Sequence, residues 1–224
     1  MPAPLRGARR TPSYHHGDLP RALVAEAVRI IRTKGVDALT LRAVGARLGV
    51  SRSALYRHFA DKQALLAAVA AEGFRGLTDA LQSAWIGTGG GLAGFNAMGL
   101  AYVRFAQAHA AHYRVMFGTV ERVDVSNPER DAHAKAAFGA LVDAIVALQA
   151  QRWIEAGDPM PLAQYIWATV HGIAMLAIDG QLKRQGSDGD RLVRFFQERL
   201  LEGIGRGETP RDHRGAAADG PTSN

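Results

Sequence analysis

The segment from residue 40 to residue 59, TLRAVGARLGVSRSALYRHF, is dense in hydrogen-bond donors and cations. Arg52 and Ser53 begin a predicted helix there, and a guanidinium and a hydroxyl at such a helix start can read base edges in a DNA major groove. The other donors suit the phosphate backbone, and Tyr56 can also lie against a thymine methyl. The predicted DNA-contacting residues are Thr40, Arg42, Arg52, Ser53, Tyr56, Arg57, His58 and Lys62.

Helix signals place these donors on two short helices joined by a tight turn. Thr40 is the predicted N-cap of a helix that Gly49 ends, and Ser51 caps the next helix. The inner faces hold the apolar residues, which are Leu41, Val44, Leu48, Val50, Leu55 and Phe59. This layout is typical of a helix-turn-helix, although a helical corner with a solvated basic face has the same spacing.

Positive charge is concentrated at the N-terminal end of the chain. Residues 1–62 hold 12 Lys and Arg against 4 Asp and Glu, a net of +8, and the remainder holds 15 against 17, a net of −2, within the total of +6. Such asymmetry favours a polyanionic partner, either nucleic acid or an anionic membrane surface. The motif, rather than the charge, separates these two, and it favours double-stranded DNA.

Length and composition limit the class of protein. A chain of 224 residues with 47% hydrophobic content can bury a substantial core. The absence of cysteine excludes disulfides, thiolate metal sites and cysteine nucleophiles. Charged, Gln or His residues interrupt every apolar run, and the N-terminus lacks the apolar block of a secretory signal. A soluble, cytoplasmic protein with no membrane partner is expected.

The fold class predicted by the pattern is all-α. Alternation typical of strands is missing, and Ala and Leu dominate over β-branched residues. We expect an N-terminal three-helix helix-turn-helix domain followed by a helical bundle that binds a ligand and dimerises. The predicted segments are a disordered basic arm at 1–16, the DNA-binding domain at 17–62, a linking helix at about 62–86, an effector and dimerisation domain at 87–204, and a disordered tail at 205–224. Within the C-terminal part, residues 87–91 are read as a break, and helices are expected at about 92–109, 111–117, 128–156, 160–184 and 189–203.

Residues 14–74, YHHGDLPRALVAEAVRIIRTKGVDALTLRAVGARLGVSRSALYRHFADKQALLAAVAAEGF, resemble the DNA-binding domain of TetR-type regulators across nearly its whole length. The resemblance rests on the apolar pattern of the first helix, on Gly35 and on TLR at 40–42, GVS at 49–51, LYRHF at 55–59 and KQALL at 62–66. It implies that Tyr56, His58 and Lys62 clamp phosphates. It also implies a homodimer that presents two recognition helices to successive major grooves of an operator.

Bulky side chains recur at helical spacing from residue 92 onward. Each alone is ordinary core, but together they predict an apolar chamber for a small apolar or aromatic effector. Residues 101–118 and WATVHG at 167–172 resemble the TetR subgroup marked by Trp-x-x-x-His-Gly, which implies an effector domain. The candidate effector-binding residues are Tyr102, Phe105, Tyr113, Met116, Phe117, Phe138, Trp167, His171 and Met175.

The dimer interface is expected on the last two long helices. Gly172 permits close approach of a second helix, and the resemblance implies a four-helix bundle between subunits. Periodicity leaves open which apolar residues face the partner and which are core. The candidates are Leu162, Ile166, Thr169, Ile173, Leu176, Leu192, Phe195 and Phe196.

Other signals in the sequence predict no catalytic residue, metal or cofactor. His109 and His112 have no third ligand nearby in sequence, and GGGLAG at 89–94 follows no strand, which makes it a linker rather than a dinucleotide site. The predicted function is a non-enzymatic, DNA-binding repressor that a small-molecule effector releases from its operator. The alternative is an architectural or activating DNA-binding protein without an effector. A helical-bundle enzyme would leave the basic N-terminus unexplained.

Overall fold

The computed structural model describes residues 19–118 and 127–204. Its regular elements in those ranges are ten α-helices, which confirms the all-α prediction. The predicted basic arm at 1–16 and the predicted tail at 205–224 lie outside the described residues. In chain order the helices are α1 (Leu19–Lys34), α2 (Leu41–Leu48), α3 (Arg52–His58), α4 (Lys62–Gly87), α5 (Gly91–Ala108), α6 (Ala110–Phe117), α7 (Pro128–Ala150), α8 (Pro159–Ile178), α9 (Gln181–Arg184) and α10 (Gly189–Ile204).

The described chain forms two compact units. The N-terminal unit comprises residues 19–73, 111–118 and 127–131, and the C-terminal unit comprises residues 74–110 and 132–204. Helices α1, α2 and α3 therefore lie wholly in the first unit, and α5, α8, α9 and α10 lie wholly in the second.

The N-terminal unit is built on the apolar face of α1. That helix ends where predicted, because Gly35 takes a left-handed φ of 82° and its N–H donates to the Ile31 carbonyl. Helix α1 packs on α2, and α2 packs on α3. The buried face of α1 consists of Leu23, Val24, Ala27, Ile30 and Ile31.

The C-terminal unit is organised around three long helices. Helix α5 packs against both α8 and α10, and α8 and α10 also contact each other. Among the polar contacts between α10 and α5, the Gln197 amide lies against Gly99 and donates to the Asn96 backbone carbonyl at 3.0 Å. A Cβ at Gly99 would come within 2.4 Å of that amide nitrogen, so a larger residue there would displace the amide from this position.

Two predicted helices in this unit end earlier than expected. The helix predicted at 128–156 stops at Ala150, because Arg152 adopts a left-handed φ of 61° and Trp153 N–H donates back to the Leu148 carbonyl. The stretch predicted as one helix at 160–184 divides at Gly180, whose φ of 69° is incompatible with a continuing helix.

The turn between α4 and α5 is shorter than the predicted break at 87–91. Helix α4 continues through Gly87 and α5 already begins at Gly91, so three residues separate them. Gly89, Gly90 and Gly91 all have positive φ. A Cβ at Gly90 would come within 3.1 Å of the Trp85 ring, so the turn needs glycine both for its backbone and for this close packing.

Helix α8 is the most apolar long helix in the described part of the chain. By length and composition it is the one helix there that could cross a membrane, and 28% of its most apolar window is buried. Its inner face packs on α5 and α10 through Ala163, Ile166, Val170, Ile173 and Ala174.

Candidate nucleic-acid interface and effector site

Each helix of the predicted helix-turn-helix begins at a residue whose side chain caps it. The Thr40 hydroxyl accepts from the Ala43 N–H at 3.0 Å, and the Ser51 hydroxyl accepts from the Ala54 N–H at 3.2 Å. Gly49, with φ of 67°, ends α2 in the left-handed conformation that glycine tolerates best. Thr40 and Ser51 therefore cap their helices, and Gly49 ends α2, as predicted from the sequence.

The inner side of this corner is closely packed. Val44 and Leu55 are buried, and Leu41 and Phe59 are buried beside them. Leu48 and Val50 are half-buried. The predicted apolar set therefore faces inward, and α3 is held by its inner face while its other side faces solvent.

The outward face of α3 carries the predicted base-reading groups. Arg52, Ser53, Tyr56, Arg57 and His58 are all exposed. The Arg52 guanidinium lies over the Tyr56 ring, with its carbon 5.4 Å from the ring centroid. The Ser53 hydroxyl shares a 3.1 Å hydrogen bond with the Ser51 hydroxyl. The helix thus offers a cation and a hydroxyl in one exposed patch at its N-terminal end.

The remaining predicted contacts flank α3. Arg42 is exposed in the first turn of α2, next to the Thr40 cap. Lys62 is half-buried at the start of α4, where the Asp61 carboxylate accepts from the Ala64 N–H at 2.8 Å and so caps the helix. All eight predicted DNA-contacting residues lie in the N-terminal unit, at or near the first turns of α2 and α4 or on α3.

Three candidate effector residues lie in the N-terminal unit, on α6. Tyr113 is fully buried, and its ring is 4.8 Å from that of Phe117. Met116 packs on Gly73 of α4, where a Cβ would come within 2.5 Å of the Met116 sulfur.

A second group of candidates forms an aromatic cluster in the C-terminal unit. The Phe138 and Trp167 rings meet edge to face at 6.0 Å, and the His171 ring is 5.9 Å from that of Trp167. Burial lowers the pKa of the His171 imidazole below its ordinary value of 6.5. Met175 is half-buried one turn further along α8. This cluster favours a neutral imidazole among aromatic rings.

The last two candidates lie on α5. Tyr102 is buried. Phe105 is half-buried, stacks on His109 with ring centroids 4.6 Å apart, and lies against Gly76 of α4. Within the described residues, no three His, Asp or Glu side chains come together as metal ligands.

Two family descriptions match this chain, one in its N-terminal part and one in its C-terminal part. "Bacterial regulatory proteins, tetR family" matches residues 23–69, which contain the helix-turn-helix, and "Tetracyclin repressor-like, C-terminal domain" matches residues 95–200. The chain belongs to the TetR family. Membership confirms the predicted family and makes the chain a DNA-binding transcription regulator. The finer assignment to a Trp-x-x-x-His-Gly subgroup stays a prediction.

Individual proteins are similar to this chain in sequence or in fold. A solved protein of unknown function from Rhodococcus sp. RHA1 is 35% identical with a TM-score of 0.78, covering 88% of this chain and 100% of its own. A tetR-family regulatory protein from Rhodococcus RHA1 shares the fold, with 21% identity, a TM-score of 0.66 and coverage of 84% and 98%. The class A tetracycline repressor protein from transposon 1721 of Escherichia coli is 45% identical over 51 residues, which is 23% of this chain and 24% of the repressor. The match thus spans about a quarter of that curated relative.

An ion-pair cluster that was not predicted from the sequence joins α1 to α2 in this TetR protein. The Glu26 carboxylate, 11% exposed, accepts from Arg47 at 2.9 Å and pairs with Arg29 at 3.1 Å. The spacing of Glu26 and Arg29 on one helix was visible in the sequence. The pairing with Arg47 was not, because it depends on how α1 packs against α2.

Gly45 was also not predicted as a structurally important residue. It is buried in the middle of α2, and a Cβ there would come within 2.9 Å of the Leu55 side chain. Glycine inside a helix of two turns is unfavourable by itself, and that cost was the signal that this position needs a close approach.

Proposed function

We propose that this TetR-family protein is a cytoplasmic, homodimeric repressor that leaves its operator when a small apolar or aromatic effector binds. The observation that carries the proposal is the outward face of α3, where Arg52, Ser53 and Tyr56 are exposed on a helix fixed by a serine cap and by buried Leu55. In this proposal Arg52 and Ser53 read bases, and Thr40, Arg42, Tyr56, Arg57, His58 and Lys62 bind the backbone. The protein acts by binding and catalyses no reaction.

The outward face of α8 and α10 supports the dimeric part of the proposal. Tyr165, Leu176 and Phe195 are 57%, 44% and 58% exposed, and together they make apolar surface on these two helices. A Cβ at Gly172 would meet nothing within 4 Å among the described residues, so no contact there requires glycine. A second copy packed on the same face would bury these side chains and use the space beside Gly172.

Burial divides the candidate interface residues on α8 and α10 into two sets. Ile166 and Ile173 are buried inside the subunit, so they belong to its core and are removed from the proposed seam. Leu162, Thr169, Leu192 and Phe196 are half-buried, and with the exposed Leu176 and Phe195 they remain candidates for the seam.

Release by an effector requires two dimer conformations with different affinities for DNA. An operator presents successive major grooves about 34–36 Å apart, so a dimer whose α3 helices have another spacing binds it poorly. An effector that binds this second conformation more tightly shifts the population toward it. The aromatic cluster of Phe138, Trp167 and His171 supports an apolar or aromatic ligand in the C-terminal unit.

The decisive experiment selects bound fragments from the organism's own genome and then measures affinity for a selected duplex and a random one. We expect the selected duplex to bind at least about 1,000-fold more tightly. Equal affinity for both duplexes, or a monomer that ignores duplex DNA at low salt, would contradict the proposal.

A thermal-shift panel of apolar metabolites tests the effector half separately. A ligand at 100 times its dissociation constant stabilises the protein by about 2.7 kcal/mol. A stabilising ligand should also lower affinity for the selected duplex. No shift across a broad panel, with specific DNA binding intact, would point instead to a regulator without an effector.

A further inference from the structure

A groove of about 490 Å³ lies between the second half of α4 and the outer face of α5, within the C-terminal unit. It opens to solvent, and small side chains make its floor. The α5 positions that line it, from Ala97 to Ala108, extend over about 16 Å of helix. The alanines of the floor are Ala80, Ala84, Ala97, Ala101 and Ala108.

The walls of this groove are apolar except for two side chains. Leu100 and Phe105 contribute bulky apolar surface, and His109 stacks on Phe105 at 4.6 Å. Arg104 is the one lining residue with a permanent charge. A ligand that fills the groove is therefore mostly apolar and meets positive charge at one place.

The Arg104 guanidinium is fixed in place by α10. Its Nε donates to the two oxygens of Asp190 at 2.9 and 3.2 Å, and its Nη2 donates to the same carboxylate. The Arg194 guanidinium lies 3.8 Å from that carboxylate as well. Two guanidiniums thus share one carboxylate, so the cluster keeps a net charge of about +1. An oriented arginine in a positive cluster suits a second carboxylate.

We infer that this groove binds an elongated aliphatic monocarboxylate, with the chain along the alanine floor and the acid group at Arg104. The inference rests on the proposed function in one respect, because it makes this ligand class the effector. Helix α4, which supplies Ala80 and Ala84 to the groove, begins at Lys62, a proposed phosphate contact. Charge complementarity favours the carboxylate over a neutral or cationic chain of equal length.

Calorimetric titration of the full-length protein with octanoate, nonanoate and decanoate tests the apolar half of this inference. Each added methylene should tighten binding about fourfold, because each buries more apolar surface. Decanol should bind at least about tenfold more weakly than decanoate, since it lacks the charge-assisted bonds to Arg104. Decyltrimethylammonium should bind more weakly still. Equal affinity for the three head groups would overturn the inference.

Three variants locate the site. Arg104→Gln should weaken decanoate about tenfold and leave decanol unchanged, and Arg104→Lys should recover part of the loss. Ala101→Phe should block both ligands by filling the groove. Arg184→Gln is the matched control, since Arg184 is an exposed arginine on α9 that does not line the groove. If Arg104→Gln and Ala101→Phe bind decanoate as the parent does, the groove is not the site.

Fluorescence anisotropy of a selected operator duplex separates this inference from the proposed function. Release by decanoate that Ala101→Phe abolishes supports both. Release by a different ligand that Ala101→Phe does not affect keeps the repressor and overturns the groove. Decanoate binding without release overturns its role as effector. A change in molar mass on Ala101→Phe, with no decanoate bound by the parent, would assign the groove to a second protein copy and overturn the inference.

Discussion

The Arg52 guanidinium lies over the Tyr56 ring on the exposed face of α3. A guanidinium 5.4 Å from a ring centroid is stabilised, at an exposed site, by about 0.5–1 kcal/mol. A bidentate contact from the same guanidinium to a guanine contributes about 1–3 kcal/mol of discrimination. Arg52 can therefore leave the Tyr56 ring and bind a base at a small cost in free energy. Before DNA binds, the contact with the ring restricts the conformations of the Arg52 side chain.

Arg52 and Lys62 should differ in how their loss affects DNA binding. Arg52→Ala should reduce affinity for the selected duplex by about 1–3 kcal/mol per half-site and leave random binding largely intact. Lys62→Ala should weaken both duplexes alike. If the dimer makes about six phosphate contacts, a plot of the logarithm of the association constant against the logarithm of the salt concentration has a slope of about −5. Loss of Lys62 should make this slope shallower by about one unit per subunit. Equal losses on both duplexes for both variants would contradict these roles.

His171 should make stability depend on pH in one direction. Its pKa is lowered in the folded state by burial, so the unfolded chain binds the proton more readily. The stability that the neutral imidazole contributes is present above the ordinary value of 6.5 and is lost as pH falls through the lowered folded pKa. Melting temperatures of His171→Gln and His171→Phe from about pH 8 to about pH 5 should fall less than the parent's. A parent-like fall in both variants would rule out His171 as the source.

Most helix ends that a local residue type marks were predicted well, although the end of α8 before Gly180 was missed, and the end that tertiary packing sets was predicted poorly. Thr40, Gly49 and Ser51 act as predicted, because caps and left-handed glycines are local chemistry. The end of α7 was missed because its left-handed residue is Arg152, which local preference does not favour. That turn is held partly by the Gln149 amide, which donates to carbonyls of residues 155 and 157.

The same distinction between local signals and tertiary packing applies to the residues of the candidate sites. The exposed face of α3 follows from helical spacing and the apolar inner face, so its residues could be predicted from the sequence. Phe138, Trp167 and His171 were picked as bulky residues, but their meeting depends on how α7 packs against α8. Arg104 was not predicted as a site residue, because its orientation depends on hydrogen bonds to Asp190, which is 86 residues away in the sequence.

The α2–α3 corner should fail when Gly45 is enlarged. Gly45→Val adds a branched side chain where a Cβ alone would already come within 2.9 Å of Leu55, and overpacking of this kind costs about 1–3 kcal/mol. Ala46→Val is the matched control, since Ala46 is exposed on the same helix and loses helix propensity of only about 0.7 kcal/mol. Urea unfolding measures the difference. A Gly45 variant as stable as the Ala46 variant would show that the corner relaxes.

At the scale of the whole molecule, the apolar surface of α8 and α10 has no cover within the described chain. Tyr165 and Phe195 are exposed, and the Tyr165 ring is 6.2 Å from that of Phe196, so the apolar surface is continuous across the two helices. A face of this kind on a DNA-binding protein suits a two-fold partner, because two identical subunits match the two half-sites of a palindrome.

A charged residue on that face should dissociate the dimer, and the affinity for the operator should fall as a result. Phe195→Asp buries an unpaired carboxylate in the proposed interface, so light scattering should show a monomer. Two linked half-site contacts bind more tightly than one through effective concentration, so operator affinity should fall by about 100-fold or more. Ile86→Asp is the control: Ile86 is 75% exposed at the end of α4, outside the face, and its change should leave mass and affinity unaltered. A Phe195→Asp protein that stays dimeric would move the interface elsewhere. A monomer that binds the operator as tightly as the parent would mean that one recognition helix is enough.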